Sequence, residues 1–130
     1  MKYLLDTDTV SFALRGLGRV GERLRQTPPA DVAVSSITEA ELWYGVEKRR
    51  SRKLAALVAA FLEPLCIVEF DRAAAKIYGT LMNRLEQSGV TIGMSDTMIA
   101  SLGISRHLVV VTGNTRHFSR IRGLAVEDWR

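Results

Sequence analysis

Three carboxylates, Asp6, Glu41 and Asp96, stand in positions that suggest chemistry rather than solvation. Asp6 closes the apolar run Tyr3-Leu4-Leu5, and Thr7-Asp8-Thr9 behind it are turn and helix-cap types, with Asp8 reading as the cap beside the site. A carboxylate at the carboxyl end of a strand in an open α/β sheet lies in the crevice where such folds bind ligands. Glu41 belongs to Ile37-Thr38-Glu39-Ala40-Glu41-Leu42-Trp43-Tyr44-Gly45. At ~100° per residue it falls about 40° from Ile37 and about 60° from Tyr44, on one apolar face, with Glu39 roughly 160° away. A carboxylate in a core-facing stripe carries a desolvation penalty unless a cation meets it. One of the arginines could be that cation, and so could a metal.

Asp96 opens a helix in Gly93-Met94-Ser95-Asp96-Thr97-Met98, with Ser95 as the expected cap and the helix dipole favouring its charge. That helix leads into a strand ending at Thr112, and Asn114 follows, where its amide could hold a water on a metal or a phosphate oxygen. Three carboxylates at one crevice repel each other and call for a cation between them. Oxygen donors of this kind suit Mg2+ or Mn2+. No His/Cys pair has zinc spacing, no Gly-rich loop precedes a Lys, and no Gly-x-Ser-x-Gly elbow is present.

The elements that must position these residues alternate along the chain. Strands are expected over 2–5, 31–34, 65–70, 108–111 and 124–126. Helices are expected over 8–15, 18–26 (ended by Pro28-Pro29), 36–49, 51–63, 71–86, 95–106 and 115–120, with Asp71 capping the fifth. This order predicts an α/β fold, a parallel sheet with helices on both faces and the strand ends converging at one edge. At 130 residues the chain fits one domain, 1–130, and its 47% hydrophobic and 25% charged content is that of an ordinary globular protein. No apolar run approaches the ~20 residues of a membrane span. The lone Cys66 lies in an apolar run and reads as a buried thiol, which fits a reducing cytoplasm. The net charge of +4 is dominated by Arg, and the densest run, Lys48-Arg49-Arg50-Ser51-Arg52-Lys53, is either a solvated hinge between helices or a phosphate-contact surface.

A second apolar side of the helix over 36–49 carries Leu42 and Val46, about 40° apart, with Trp43 flanking. The following helix could cover that side within the monomer; alternatively it forms a groove for a partner helix.

Taken in order, four segments resemble the PIN-domain ribonucleases, and within them the VapC-type toxins of bacterial toxin–antitoxin pairs. They are Leu4-Leu5-Asp6-Thr7-Asp8, Thr38-Glu39-Ala40-Glu41-Leu42-Trp43-Tyr44-Gly45, Ser95-Asp96-Thr97-Met98-Ile99-Ala100 and Val111-Thr112-Gly113-Asn114-Thr115-Arg116-His117-Phe118. The resemblance spans Leu4 to Trp129 and implies a three-layer α/β/α fold with a central, mostly parallel sheet. It implies Mg2+ (or Mn2+) on Asp6 and Asp96, with Glu41 joining through a water or second ion and Asn114 where many relatives carry a fourth acid. Thr7 and Thr112 match hydroxyl positions that orient the carboxylates. The implied activity is hydrolysis of structured RNA, often tRNA, leaving 5′-phosphate and 3′-hydroxyl ends. The implied partners are a second copy and a VapB-type antitoxin lying over the crevice.

Two other readings stay open on residues alone. Leu4-Leu5-Asp6-Thr7-Asp8-Thr9-Val10 imitates the Asp-x-Asp start of haloacid-dehalogenase-type phosphatases, with Asp6 as nucleophile. There, however, the last acidic motif should follow Thr112, and only Glu127 and Asp128 do. The other reading is a binding-only domain that kept the fold, for which Asn114 leaves room.

Overall fold

Neighbouring residues in each short strand face opposite cores, which is why the strands read as continuous apolar runs rather than as alternating ones. A computed structural model describing residues 1–130 places β1 (Tyr3–Leu5), β2 (Val32–Ser35), β3 (Cys66–Val68), β4 (Val109–Val111) and β5 (Val126–Glu127) in one sheet of order β3-β2-β1-β4-β5. Every neighbouring pair is parallel. Leu4, Ala33, Val68 and Val110 face one core, packed by α5 (Arg72–Gln87), α6 (Met94–Arg106) and α7 (Thr115–Phe118). Leu5, Val32, Val34 and Val111 face the other, packed by α1 (Thr7–Arg15), α2 (Val20–Arg25), α3 (Ser36–Arg49) and α4 (Arg52–Leu62). The result is the three-layer α/β/α arrangement expected above, with the sheet wholly parallel. No helix is long and apolar enough to cross a membrane.

The chain winds outward from β1 through β2 to β3, then crosses back to β4 beside β1. The strand order therefore reverses between β1 and β4, and a ligand crevice belongs above that point. Asp6 follows β1 and Thr112 follows β4 directly. The Asp6 N–H donates to the Val111 carbonyl at 3.0 Å, so the two strand ends are laced together.

Several local expectations shift for stated reasons. Asp6 itself caps α1, accepting from the Thr9 N–H at 2.8 Å, and Asp8 sits inside the first turn. Ser95 caps nothing: α6 starts one residue earlier, and the Thr97 N–H and hydroxyl both donate to the Gly93 carbonyl, at 3.1 and 2.6 Å. Asp31 joins a 3₁₀ turn over Pro29–Asp31 because its N–H donates to the Pro28 carbonyl, so β2 begins at Val32. The last strand moves from 124–126 to Val126–Glu127, since the Leu124 N–H donates to the Ile121 carbonyl and leaves the ladder. The basic run is a helix hinge: Arg50 closes α3 in the left-handed region (φ 49°), and Ser51 caps α4 through the Leu54 N–H.

Candidate metal and RNA site

Asp6 is 2% exposed at the sheet edge. Its carboxylate accepts from the Thr9 N–H at 2.8 Å and has the Thr9 and Thr112 hydroxyls beside it, the Thr9 hydroxyl donating to the Val111 carbonyl at 3.0 Å. Burial raises its pKa despite them. Asp96, in the first turn of α6, faces the same crevice. Burial first, then the charges of Asp6, Asp8 and Glu41, push its pKa up to about 6, while a hydrogen bond from Asn114 pulls the other way. The three ion pairs of the molecule involve other carboxylates: Asp71, Glu127 and Asp128. Asp6 and Asp96 thus form a partly buried anionic cluster that no arginine neutralises by contact.

Glu41 is placed differently from its expected stripe. The core-facing residues of α3 are Thr38, Leu42 and Val46, whereas Glu41 is exposed at the crevice mouth. Its charge therefore needs no buried partner. The Thr7 hydroxyl donates to Glu41 Oε1 at 2.7 Å and lies 3.0 Å from the Thr38 hydroxyl, fixing the carboxylate at the entrance. Thr7, Asp8, Glu41, Gly93 and Asp96 share the lining of one open cavity of about 360 Å³.

No three His, Cys, Asp or Glu side chains crowd closely enough to surround one ion. Two direct carboxylates are what Mg2+ or Mn2+ commonly takes, the rest of the shell being water and substrate oxygens. The donor set fits such an ion: all oxygen, with no protein cation in contact and open to solvent on one side. Asp6 and Asp96 would hold it directly, with Glu41 set back.

Two supporting residues, His117 and Arg130, escaped the sequence reading. Asn114 caps the short α7, and its Oδ1 lies 2.7 Å from His117 Nδ1. With Nδ1–H as donor, His117 turns the Asn114 amide so that its NH2 faces Asp96. The spacing of three residues was the available signal, but a His in a polar turn carries no mark of its partner. The second is Arg130. Its guanidinium donates to the Gly113 carbonyl (2.9 Å) and to both Asp128 oxygens (3.2 Å each), and lies 5.4 Å from the Phe12 ring centre. Asp128 raises the Arg130 pKa most, and Asp6 and Asp8 add to it. A Cβ on Gly113 would come within 2.2 Å of the Arg130 guanidinium carbon. Gly113→Ala is expected to unseat Arg130 and to match Arg130→Ala in cleavage rate, the double variant being no worse than either. Additive losses in that cycle would show that Gly113 and Arg130 act separately.

Of the two readings of the Leu42 and Val46 side, cover by the following helix is the one the fold adopts. Leu42 and Val46 are 9% and 8% exposed, packed with Val58 and Leu62 of α4, so within the monomer most of that side is covered and only an edge of Leu42 reaches a groove. Trp43 is 37% exposed, and its indole N–H donates to Glu39 on the same helix. The groove that the fold does leave, about 390 Å³, runs between α1, α3 and α4 and is lined by Leu14, Leu42, Leu54, Val58 and Arg49. It shares Thr7, Asp8 and Glu41 with the acidic crevice.

A parallel sheet covered on both faces by helices, with a carboxylate crevice at its switch point, defines a three-layer α/β/α protein with a candidate metal site. The PIN domain model matches residues 3–124, and the chain belongs to the PIN-domain family. Within it the VapC ribonucleases are close in sequence. The chain is 36% identical over 132 residues to the tRNA(fMet)-specific endonuclease VapC of Shigella flexneri, covering 99% of this chain and 98% of that one. It is 37% identical over 131 residues to the enzyme of the same name from Salmonella typhimurium, again covering 99% and 98%. Among solved structures, DNA-bound VapBC from Salmonella typhimurium superposes with a TM-score of 0.92 at 37% identity, over 100% of this chain and 99% of that one. VapBC2 from Rickettsia felis, bound to a DNA fragment from its promoter, superposes with a TM-score of 0.90 at 34% identity over the whole of both chains. The chain is thus a nuclease-type hydrolase of the VapC toxin group, and the phosphatase reading falls. The two late acids that reading needed are engaged elsewhere, Glu127 with Arg23 and Trp129, Asp128 with Arg130.

Proposed function

We propose that this chain, acting as one PIN domain over 1–130, is a Mg2+-dependent endoribonuclease that hydrolyses phosphodiester bonds in tRNA or another structured RNA, with Mn2+ able to replace Mg2+. We further propose that its antitoxin inhibits it. The observation that carries this is the pairing of buried Asp6 with Asp96, whose pKa is pushed to about 6 by burial and by three neighbouring carboxylates. Such a cluster is costly unless a cation occupies it. When bound, a divalent ion supplies positive charge against the phosphate and makes a coordinated water acidic enough to attack. The protein's own groups do the rest. Thr9 and Thr112 hold Asp6 still, His117 and Asn114 steady Asp96, and Thr7 holds Glu41 at the open side, where it can take the proton of the attacking water. The names of the relatives support tRNA as the substrate class. Hydrolysis by water predicts 5′-phosphate and 3′-hydroxyl ends; 2′,3′-cyclic phosphates would overturn the mechanism.

The VapBC complexes support a VapB-type antitoxin as partner. Its place is the groove between α1, α3 and α4, where apolar side chains seat a helix and the adjoining acids receive a basic residue. Leu54→Glu is expected to weaken antitoxin binding at least tenfold in calorimetry, while Trp43→Ala leaves it within twofold. The reverse order would move the groove back to the Trp43 side. Exposed Trp43, Tyr44 and Ile67 on α3 and edge strand β3 support a homodimer through that flank. An RNA substrate and the unpaired Cys66 fit a cytoplasmic setting.

A further inference from the structure

The largest cavity lies outside the acidic crevice. It holds about 580 Å³ between the end of α5, the loop after it and the segment Arg120–Arg122, and opens into a neighbour of about 310 Å³ along α5. The two share Leu81, Arg84 and Arg122, so they form one continuous cleft. Four cations line it, Lys76, Arg84, Arg120 and Arg122, with no Asp or Glu among the lining residues. None of the four takes part in an ion pair or a side-chain hydrogen bond. All four are exposed. Unpaired guanidinium groups gathered in a concavity repel each other, and an anionic ligand relieves that repulsion.

The cleft and the acidic crevice lie on either side of one connecting segment. The 87–93 loop lines both: Gln87, Ser88 and Val90 on the basic side, Ile92 and Gly93 on the acidic side. Arg120 follows Asn114 by six residues through α7, so the opposite wall also leads back to the site. Arginine forks match phosphate oxygens two at a time, and a row of them suits a chain of phosphates rather than one anion. We infer that the cleft formed by Lys76, Arg84, Arg120 and Arg122 seats the phosphate backbone of the RNA substrate beyond the scissile bond. This inference rests on the ribonuclease reading above and extends it to where the RNA lies.

The test compares an Arg84→Gln/Arg120→Gln/Arg122→Gln variant with a charge-matched control, Lys2→Gln/Arg19→Gln/Arg25→Gln, at the start of β1 and on α2, none of them lining the cleft or the crevice. Both are built in the cleavage-dead Asp96→Asn background for binding and in the native background for cleavage. The probe is bulk bacterial tRNA, titrated at several salt concentrations, with thermal unfolding as the check on folding. The cleft variant is expected to bind at least tenfold more weakly. Its slope of log affinity against log salt should fall by about 2–3, since each of three lost phosphate contacts removes ~0.7 for single-stranded and ~0.9 for duplex nucleic acid. The control should change affinity less than twofold. Native-background cleavage of tRNA should drop in parallel, while a trinucleotide too short to reach the cleft is cut at the unaltered rate. Equal binding and equal slopes for the two variants, with the native protein still cutting tRNA, would overturn the cleft and leave the ribonuclease reading standing. Unchanged tRNA binding with lost antitoxin affinity would assign the cleft to a protein partner instead. A native protein that neither binds nor cuts RNA would remove both.

Discussion

Asp96→Asn is expected to lower RNA cleavage by about a thousandfold, equivalent to ~4 kcal/mol of lost transition-state stabilisation, and at the same time to stabilise the metal-free protein. The two effects share one cause. With its pKa raised to about 6 from an ordinary 3.8, the folded protein holds the Asp96 proton more tightly than the unfolded chain does. Ionised Asp96 therefore opposes folding, by an amount that grows as pH rises from 3.8 and is complete above about 6. Asparagine has no such charge. At pH 7.5 the variant should gain about 1–2 kcal/mol over the wild type, allowing for the partial exposure of the site to water. The gain should shrink as pH falls through 6 and vanish below 3.8. Urea unfolding in chelator across that pH range measures it. Saturating Mg2+ should reverse the order, because an ion that binds only the folded wild type stabilises it by mass action. A variant less stable than wild type at pH 7.5 without metal would mean that Asp96 is structurally paired and the cluster is not strained.

Phe118→Ala is expected to destabilise the fold by about 3–5 kcal/mol, the range for truncating a fully buried aromatic side chain. The ring is 0% exposed and packs with Leu4, Val110 and Ile121 in the core under α7. In a chain of this size the loss should lower the thermal midpoint by roughly 10–20 °C. The consequence for the site is direct, since α7 has only four residues and the Phe118 N–H donates to the Asn114 carbonyl. Loosening Phe118 frees Asn114 and His117, so cleavage at a temperature where the variant stays folded should fall more than it does for Phe118→Leu. A loss of under 1 kcal/mol would mean that this segment repacks freely and does not hold the site.

Most of the fold was legible because the strands are short, apolar and separated by strongly patterned helices. The capping chemistry was readable at Asp71, whose side chain accepts from the Ala74 N–H, because a lone Asp before an uninterrupted helical pattern has few other roles. It was misread at Ser95, where a glycine in the left-handed region (φ 89°) starts the helix earlier than the serine suggests. The face of Glu41 was misjudged for a related reason. Angular position orders residues around a helix, yet the side that meets the sheet depends on the docking of α3 over β2 and under α4. Thr38, Leu42 and Val46 met it instead. The acids themselves were visible as types at strand and helix ends. Their helpers were not: Thr7 to Glu41 spans 34 residues, and Arg130 to Gly113 spans 17. Such contacts exist only once β1, β2 and β4 lie side by side.

The central claim is that the Asp6–Asp96 crevice is a metal-dependent RNA-cleaving centre, and one incubation tests it most directly. Purified protein, stripped of any antitoxin, is mixed with total bacterial tRNA in Mg2+, in Mg2+ followed by excess EDTA, and as Asp96→Asn in Mg2+. Discrete tRNA fragments in the first arm alone, restored in the second by adding Mn2+ beyond the chelator, is the expected result. Undiminished cleavage in EDTA, or by the Asp96→Asn protein, would contradict it.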